Sequence, residues 1–322
     1  MHPSVLVAGE TLVDFLPGSR GPLSSVETFT RRPGGAPANV AVALSRLGEV
    51  PWFWTRVGAD PFGEDLLETL VDEGLPERFL VSDPDAKTSL AFVAHDEDAD
   101  REFSFYRNGT ADTRLEPGAV PDAVLADLDW VSVGGVALAS GSSREATLDL
   151  AERAREQGAK VWFDPNARPE LWEDDFPALF AEMLGHADVV KASEEDLAAA
   201  GIEGDSPAEL AEALHELGPD TVFLTMGASG AFASATADAP WGPATVTYDG
   251  FDVEPVDTTG AGDAFTAGAL LALYEGEPLG EVLAFASAVA AVTTTGEGAM
   301  TALPDRETVA EFRSEGVAGD DR

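Results

Sequence analysis

Six short runs, at 5–8, 50–56, 130–133, 160–163, 188–190 and 221–225, are almost continuously apolar along this 322-residue chain. A strand that is apolar at nearly every position is buried on both faces, as happens when helices cover a parallel sheet. Between these runs, residues 144–157, 193–200 and 207–217 carry apolar side chains at helical spacing, the last two with acids in the first turn. The alternation predicts an α/β fold with a doubly wound, mostly parallel sheet between two helix layers. Two stretches break the rhythm. Residues 10–31 and 88–107, the second around the polar turn 96–100, read as short strands without crossover helices. They predict a small β-sheet lid, formed by about 10–33 and 88–108, inserted in a single domain that spans 1–322. A last helix is expected around 307–312, with a loose tail from 315 onward.

Composition narrows the function. The chain is 44% apolar and 8% aromatic, enough for a packed core rather than disorder. Its 59 acids against 19 bases give a net charge of −40, with Lys87, Lys160 and Lys191 the only lysines. Nucleic-acid and anionic-membrane binding both need basic surface, so neither is expected. The acids are spread along the chain, which predicts a surface adapted to concentrated salt, where screening is short-ranged. Cysteine is absent, which rules out disulfides and thiolate chemistry. The four histidines (His2, His95, His186 and His215) lack ligand spacing. With no long apolar span and no basic leader, a soluble cytoplasmic protein is expected.

The segment Asp257-Thr-Thr-Gly-Ala-Gly-Asp-Ala-Phe265 carries the chemistry. A glycine turn entering a helix presents unpaired N–H groups at the positive end of the helix dipole, a natural phosphate site. Asp263 at its mouth either is an ordinary first-turn acid or takes a proton from a hydroxyl about to attack phosphorus. None of the lysines sits in a GxxxxGK[ST] frame, and Phe265 stands where a dinucleotide fingerprint needs its third glycine. Phosphate must then be held by the amides of Gly260, Ala261 and Gly262. A second glycine turn, Arg32-Pro-Gly34-Gly35-Ala-Pro-Ala-Asn39, also opens a helical pattern.

Together these two segments resemble the signature motifs of the ribokinase-like (PfkB) carbohydrate kinases. The resemblance continues in order through Gly9-Glu10-Thr-Leu-Val-Asp14, Arg56-Val-Gly58-Ala-Asp60, Phe105-Tyr106-Arg107, Asp164-Pro-Asn166-Ala-Arg168, Thr225-Met-Gly227-Ala-Ser-Gly230 and Gly298-Ala-Met. Phe-Tyr-Arg followed by Ala111-Asp112, and Asp-Pro-Asn-x-Arg followed by Leu171-Trp172, look most like the fructokinase branch.

The resemblance implies an ATP- and Mg²⁺-dependent sugar kinase with Asp263 as general base. It implies sugar contacts from Asp14, Gly34, Gly35, Asn39, Phe105, Arg107, Asn166 and Arg168. Lys191, Ser193, Thr225, Gly227 and Gly230 would border the nucleotide, Gly298 would lie near the adenine, and Asp257 and Thr259 would bind a monovalent cation such as K⁺. Where many relatives carry Asn-x-x-Glu to organise water around Mg²⁺, this chain has Ser193-Glu-Glu-Asp196. Asp196 then keeps the carboxylate on a shorter arm, or Ser193 merely caps a helix.

D-Fructose is the expected substrate. The rival 2-keto-3-deoxygluconate is an acid, and its kinases tend to carry a tyrosine hydroxyl where this chain has Phe105. A sugar-binding protein without turnover is a further alternative, disfavoured by the intact Asp263 turn. Exposed strand edges on the lid make a homodimer the expected assembly.

Overall fold

The computed structural model describes residues 2–19, 21–95, 101–172 and 175–319; the polar turn 96–100 lies outside them. The strands are β1 (Val5–Ala8), β2 (Leu12–Pro17), β3 (Phe29–Gly34), β4 (Trp52–Gly58), β5 (Leu80–Asp83), β6 (Leu90–His95), β7 (Arg101–Tyr106), β8 (Trp130–Gly134), β9 (Lys160–Asp164), β10 (Val189–Ser193), β11 (Thr221–Thr225), β12 (Ala231–Ala235) and β13 (Ala244–Tyr248). The helices are α1 (Ala36–Leu47), α2 (Pro61–Asp72), α3 (Asp122–Leu125), α4 (Ser142–Gln157), α5 (Phe176–Leu184), α6 (Glu194–Ala200), α7 (Pro207–His215), α8 (Ala261–Tyr274), α9 (Leu279–Thr294) and α10 (Arg306–Gly319).

Nine strands form the main sheet in the order β13-β12-β11-β10-β9-β8-β1-β4-β5. Each of the six apolar runs is a strand of its parallel part, which runs from β5 to β11. Two hydrophobic cores cover its faces. One contains α1, α8 and α9 with Phe53, Trp162 and Phe223; the other contains α4 and α5 with Phe163 and Phe180. The antiparallel edge β11-β12-β13 went unread in the sequence. Its strand Ala-Phe-Ala-Ser-Ala is built of small residues that blur both the apolar run and the period-two alternation. The tail also differs from expectation: residues 315–319 continue α10 rather than leaving it. No helix among the described residues is long and apolar enough to cross a membrane.

The two irregular stretches form a separate four-stranded sheet in the order β3-β2-β6-β7. Its aromatic residues Phe15, Phe29 and Phe92 pack on one another, with Phe15 and Phe92 stacked at 4.7 Å. Asp14 pairs with Arg32 across β2 and β3. In the main sheet, β1 lies between β4 and β8, so chain connections leave it in both directions. Such a switch point opens a crevice at the carboxyl ends of the strands, where ligands bind in open α/β sheets. The turn that carries Glu10 follows β1 directly, and the loops after β9, β10 and β11 carry the remaining candidates.

Candidate active site

Helix α8 begins at Gly260, whose left-handed backbone (φ +81°) serves as N-cap with no side-chain cap of its own. Asp263 follows in the first turn. The Ala261 N–H, one of the expected phosphate donors, already has a partner: it donates to the Thr258 carbonyl at 3.3 Å. Gly262 is tightly seated. A Cβ there would lie 3.1 Å from Lys191 Nζ, so the ammonium packs directly beneath the turn. Lys191 is buried and donates to both oxygens of Asp164 at 3.2 Å, and Thr266, one helical turn beyond Asp263, donates to the same carboxylate at 2.8 Å. Burial opposes the Lys191 charge, but the carboxylates of Asp164, Asp196 and Asp263 hold its pKa above the ordinary value. A fixed positive charge therefore stands behind the glycine turn although no phosphate-loop lysine exists.

On the opposite side, Asn39 rises from the first turn of α1, 4% exposed, and donates through Nδ2 to Asp263 Oδ2 at 2.8 Å. Its Oδ1 has no partner among the described residues. Burial pushes the Asp263 carboxyl up to about 6, against the pull of Asn39, Lys191 and Arg168. Burial and the nearby Asp263 push Asp14 to about 7, with Arg168 opposing. Gly34 permits this arrangement, because a Cβ there would fall 2.0 Å from Asp14 Oδ2. The structure thus brings Asp14, Gly34, Asn39 and Asp263 together. A carboxylate this desolvated is a stronger base than a solvated one, and it stays largely ionised at neutral pH.

The other sugar-side candidates are arranged around them. Phe105 stacks on Phe103 at 5.8 Å, and the Arg168 guanidinium lies over the Phe103 ring at 5.4 Å. Asn166 is the one non-glycine among the described residues with a left-handed backbone (φ +38°), in the loop between Asp164 and Arg168. Such a conformation is a local strain that surrounding structure must maintain. Arg107 is 4% exposed and bonds to the buried Asp112. Glu10 had no role assigned from sequence; it is 3% exposed with an unpartnered Oε2, and burial pushes its carboxyl to about 7. Only an acid directly after β1 hinted at it.

On the far side of the Gly262 turn, a cavity of about 600 Å³ is lined by Ser193, Thr225, Gly227, Gly230, Ala261 and Gly262 among others. Gly298 does not line it. Its N–H donates at 3.0 Å to Asp257 Oδ2, while Asp257 Oδ1 accepts from the Thr259 amide and hydroxyl at 2.9 and 2.6 Å. Ser193 and Asp196 form a capping box on α6: Asp196 Oδ2 accepts from the Ser193 amide and hydroxyl, and Oδ1 accepts from the Ala167 amide at 2.7 Å. This cap ties α6 to the loop that holds Asn166 and Arg168.

The buried carboxylate of Asp263 therefore lies between the polar groups of Asp14 and Asn39 on one side and a glycine turn with a cavity of about 600 Å³ on the other. The model of the pfkB family carbohydrate kinases matches residues 2–306. A fructokinase of Vibrio alginolyticus is 34% identical over 316 residues, covering 96% of this chain and 98% of that protein. The structure of a fructokinase with bound ATP from Xylella fastidiosa superposes with a TM-score of 0.85 at 31% identity, over 98% of this chain and 99% of the other. A fructokinase from Vibrio cholerae O395, solved with fructose, ADP and calcium ion, gives 0.81 at 34% identity, over 97% and 99%. The chain belongs to the pfkB family of carbohydrate kinases.

Proposed function

We propose that the protein transfers the γ-phosphoryl group of ATP to a hydroxyl of D-fructose. The observation that carries this reading is the Asp263 carboxylate, bound by Asn39 at 2.8 Å at the mouth of an uncapped helix N-terminus. The sugar lies between Asp14 and Asp263, with Asn39, Gly34, Gly35, Asn166 and the ring of Phe105 completing its pocket. Asp263 accepts the proton of the attacking hydroxyl. The amides at Gly260 and Gly262, with the Lys191 ammonium behind them, stabilise the charge of the transferring group. ATP fills the cavity bordered by Ser193, Thr225, Gly227 and Gly230.

The chemistry of phosphoryl transfer calls for Mg²⁺, which the nucleotide phosphates would hold. Among the described residues no group of three carboxylates or imidazoles is assembled to hold a metal by itself, which suits an ion carried largely by phosphates and water; it supplies neutralisation of phosphate charge. The Asp257–Thr259–Gly298 loop is the place for a K⁺ ion. The four-stranded sheet closes over the sugar, and its edges pair two cytoplasmic protomers. Support for fructose comes from the named fructokinases and from the acidic character of the pocket, which suits a neutral sugar better than 2-keto-3-deoxygluconate.

The test is a phosphorylation screen over neutral and acidic sugars in concentrated KCl, with the product located by NMR. Fructose is expected to exceed 2-keto-3-deoxygluconate in kcat/KM by at least about tenfold, or 1.4 kcal/mol. The reverse order would overturn the fructose assignment.

A further inference from the structure

The charge of Arg107, on the sugar side, is already answered inside the protein. Its Nε donates to Asp112 Oδ2, and Asp112 is itself 1% exposed. The other carboxylate oxygen of Asp112 accepts from the Thr110 hydroxyl at 2.7 Å, and the Ser89 hydroxyl lies against both. Arg107 Nη1 reaches Ser140 Oγ only at 3.5 Å, and Nη2 has no partner among the described residues. The guanidinium also borders a cavity of about 960 Å³ that Phe105 and Ser140 help to line. Glu10 completes the group. It lies close enough to Arg107, Asp112 and Asp263 to respond to each of their charges, and its Oε2 is unpartnered.

A guanidinium meant to hold a substrate carboxylate keeps its charge for the ligand. Here it is neutralised in advance, yet the N–H groups of Nη2 remain to be given. We infer that Asp112, acting through Arg107, is a specificity-determining positioning residue that commits this site to neutral polyhydroxy sugars and rejects sugars bearing a carboxylate. The inference rests on the sugar-kinase reading above and deepens it. An acidic sugar would find the charge of Arg107 already answered by Asp112 and the Lys191 ammonium already answered by Asp164, and it would add its own charge to those of Glu10, Asp14 and Asp263, with Arg168 left to oppose them. An added buried negative charge without its own partner is strongly disfavoured. A neutral hydroxyl needs only the spare Nη2 donor and the free Glu10 oxygen.

The experiment compares kcat/KM for D-fructose and for 2-keto-3-deoxygluconate in the wild type and in Asp112→Asn, with D-gluconate as a competitive inhibitor where turnover of the acid is slow. Asparagine keeps the shape and removes the charge, so Arg107 is released. The ratio of fructose to acid efficiency is expected to fall by at least about tenfold, and the inhibition constant of gluconate to fall with it. Loss of both activities in proportion, leaving the ratio unmoved, is what a merely structural role would give, and it overturns the inference. Because an unpaired buried arginine destabilises a fold, the neutral pair Arg107→Gln/Asp112→Asn is measured alongside. It is expected to lose fructose affinity yet keep rejecting the acid, since the liberated charge is gone. Acid turnover gained in that double variant also overturns the inference. A wild type that phosphorylates no sugar defeats the sugar-kinase reading and the inference together. Normal fructose turnover with an unmoved ratio defeats the role of Asp112 alone.

Discussion

The Asn39 amide donates to the Asp263 carboxylate at 2.8 Å, joining the first turns of α1 and α8 across 224 positions of the chain. The proton affinity of the proposed base is thereby tuned by a residue of the other glycine-turn segment. Burial raises it and Asn39 restrains it.

That balance is testable by pH. Asp263 acts as a base only when ionised, so turnover should fall on the acidic side with a limb near the value of about 6 to which burial pushes it. Asp14 and Glu10 each respond to the Asp263 charge and are pushed to about 7, so the limb reports the group rather than one carboxyl. Asn39→Ala removes a bond that favours the charged form. The limb should move to higher pH by about 0.5–1 unit, the worth of one hydrogen bond of roughly 1 kcal/mol. A limb that stays in place would separate Asn39 from the base.

Glu10 gives a stability prediction with a definite sign. Its folded pKa of about 7 stands above the ordinary 4.5, so its contribution to stability is fully present below about 4.5 and is lost as pH rises through 7. Glu10→Gln has no such dependence. The variant should therefore gain on the wild type as pH rises, reaching on the order of 1–3 kcal/mol at pH 8 and little at pH 5. Denaturant unfolding at both pH values checks it. A gap that shrinks with pH would mean that Arg107 outweighs burial in setting the charge of Glu10.

Gly34→Ala would place a methyl 2.0 Å from Asp14 Oδ2. Asp14 must then turn away from the sugar. The KM for fructose should rise about tenfold or more, the equivalent of 1.4 kcal/mol, while the KM for ATP changes by less than about twofold. Equal effects on both substrates would remove Asp14 from sugar binding.

Self-repulsion at a net charge of −40 predicts salt dependence. As KCl rises from about 0.1 M to 1 M the screening length falls from about 10 Å to 3 Å, and the melting temperature should climb by at least about 5 °C. A flat melting curve would refute salt adaptation. Exchanging NaCl for KCl at equal ionic strength isolates the Asp257 loop: if turnover is the same in both, no selective K⁺ site operates there.

The parallel core was legible because strands buried on both faces must be apolar along nearly their whole length, as 5–8 is. The small sheet was legible because its segments lack room for crossover helices. Residues 231–235 were not, since alanine and serine carry too little contrast to reveal a strand. Within the site, both glycine turns could be read because close backbone approach demands glycine locally. The Lys191–Asp164–Thr266 cluster could not, because it joins the ends of β9 and β10 to α8, and only the fold brings them within 3.2 Å. Glu10 and Asp112 were hidden for the same reason. Asp196 illustrates a different limit: one carboxylate at one spacing serves a helix cap or a metal-bound water, and only the fold shows its bonds to Ser193 and Ala167.

The most direct measurement is single-turnover and steady-state kinetics of Asp263→Asn with fructose and ATP, beside equilibrium binding of fructose. Asparagine keeps the shape of Asp263 but cannot accept the proton. The account predicts a kcat lower by about 10²–10⁴ with fructose affinity within about threefold of wild type. A variant that turns over within about tenfold of wild type would contradict the assignment of Asp263 as the base.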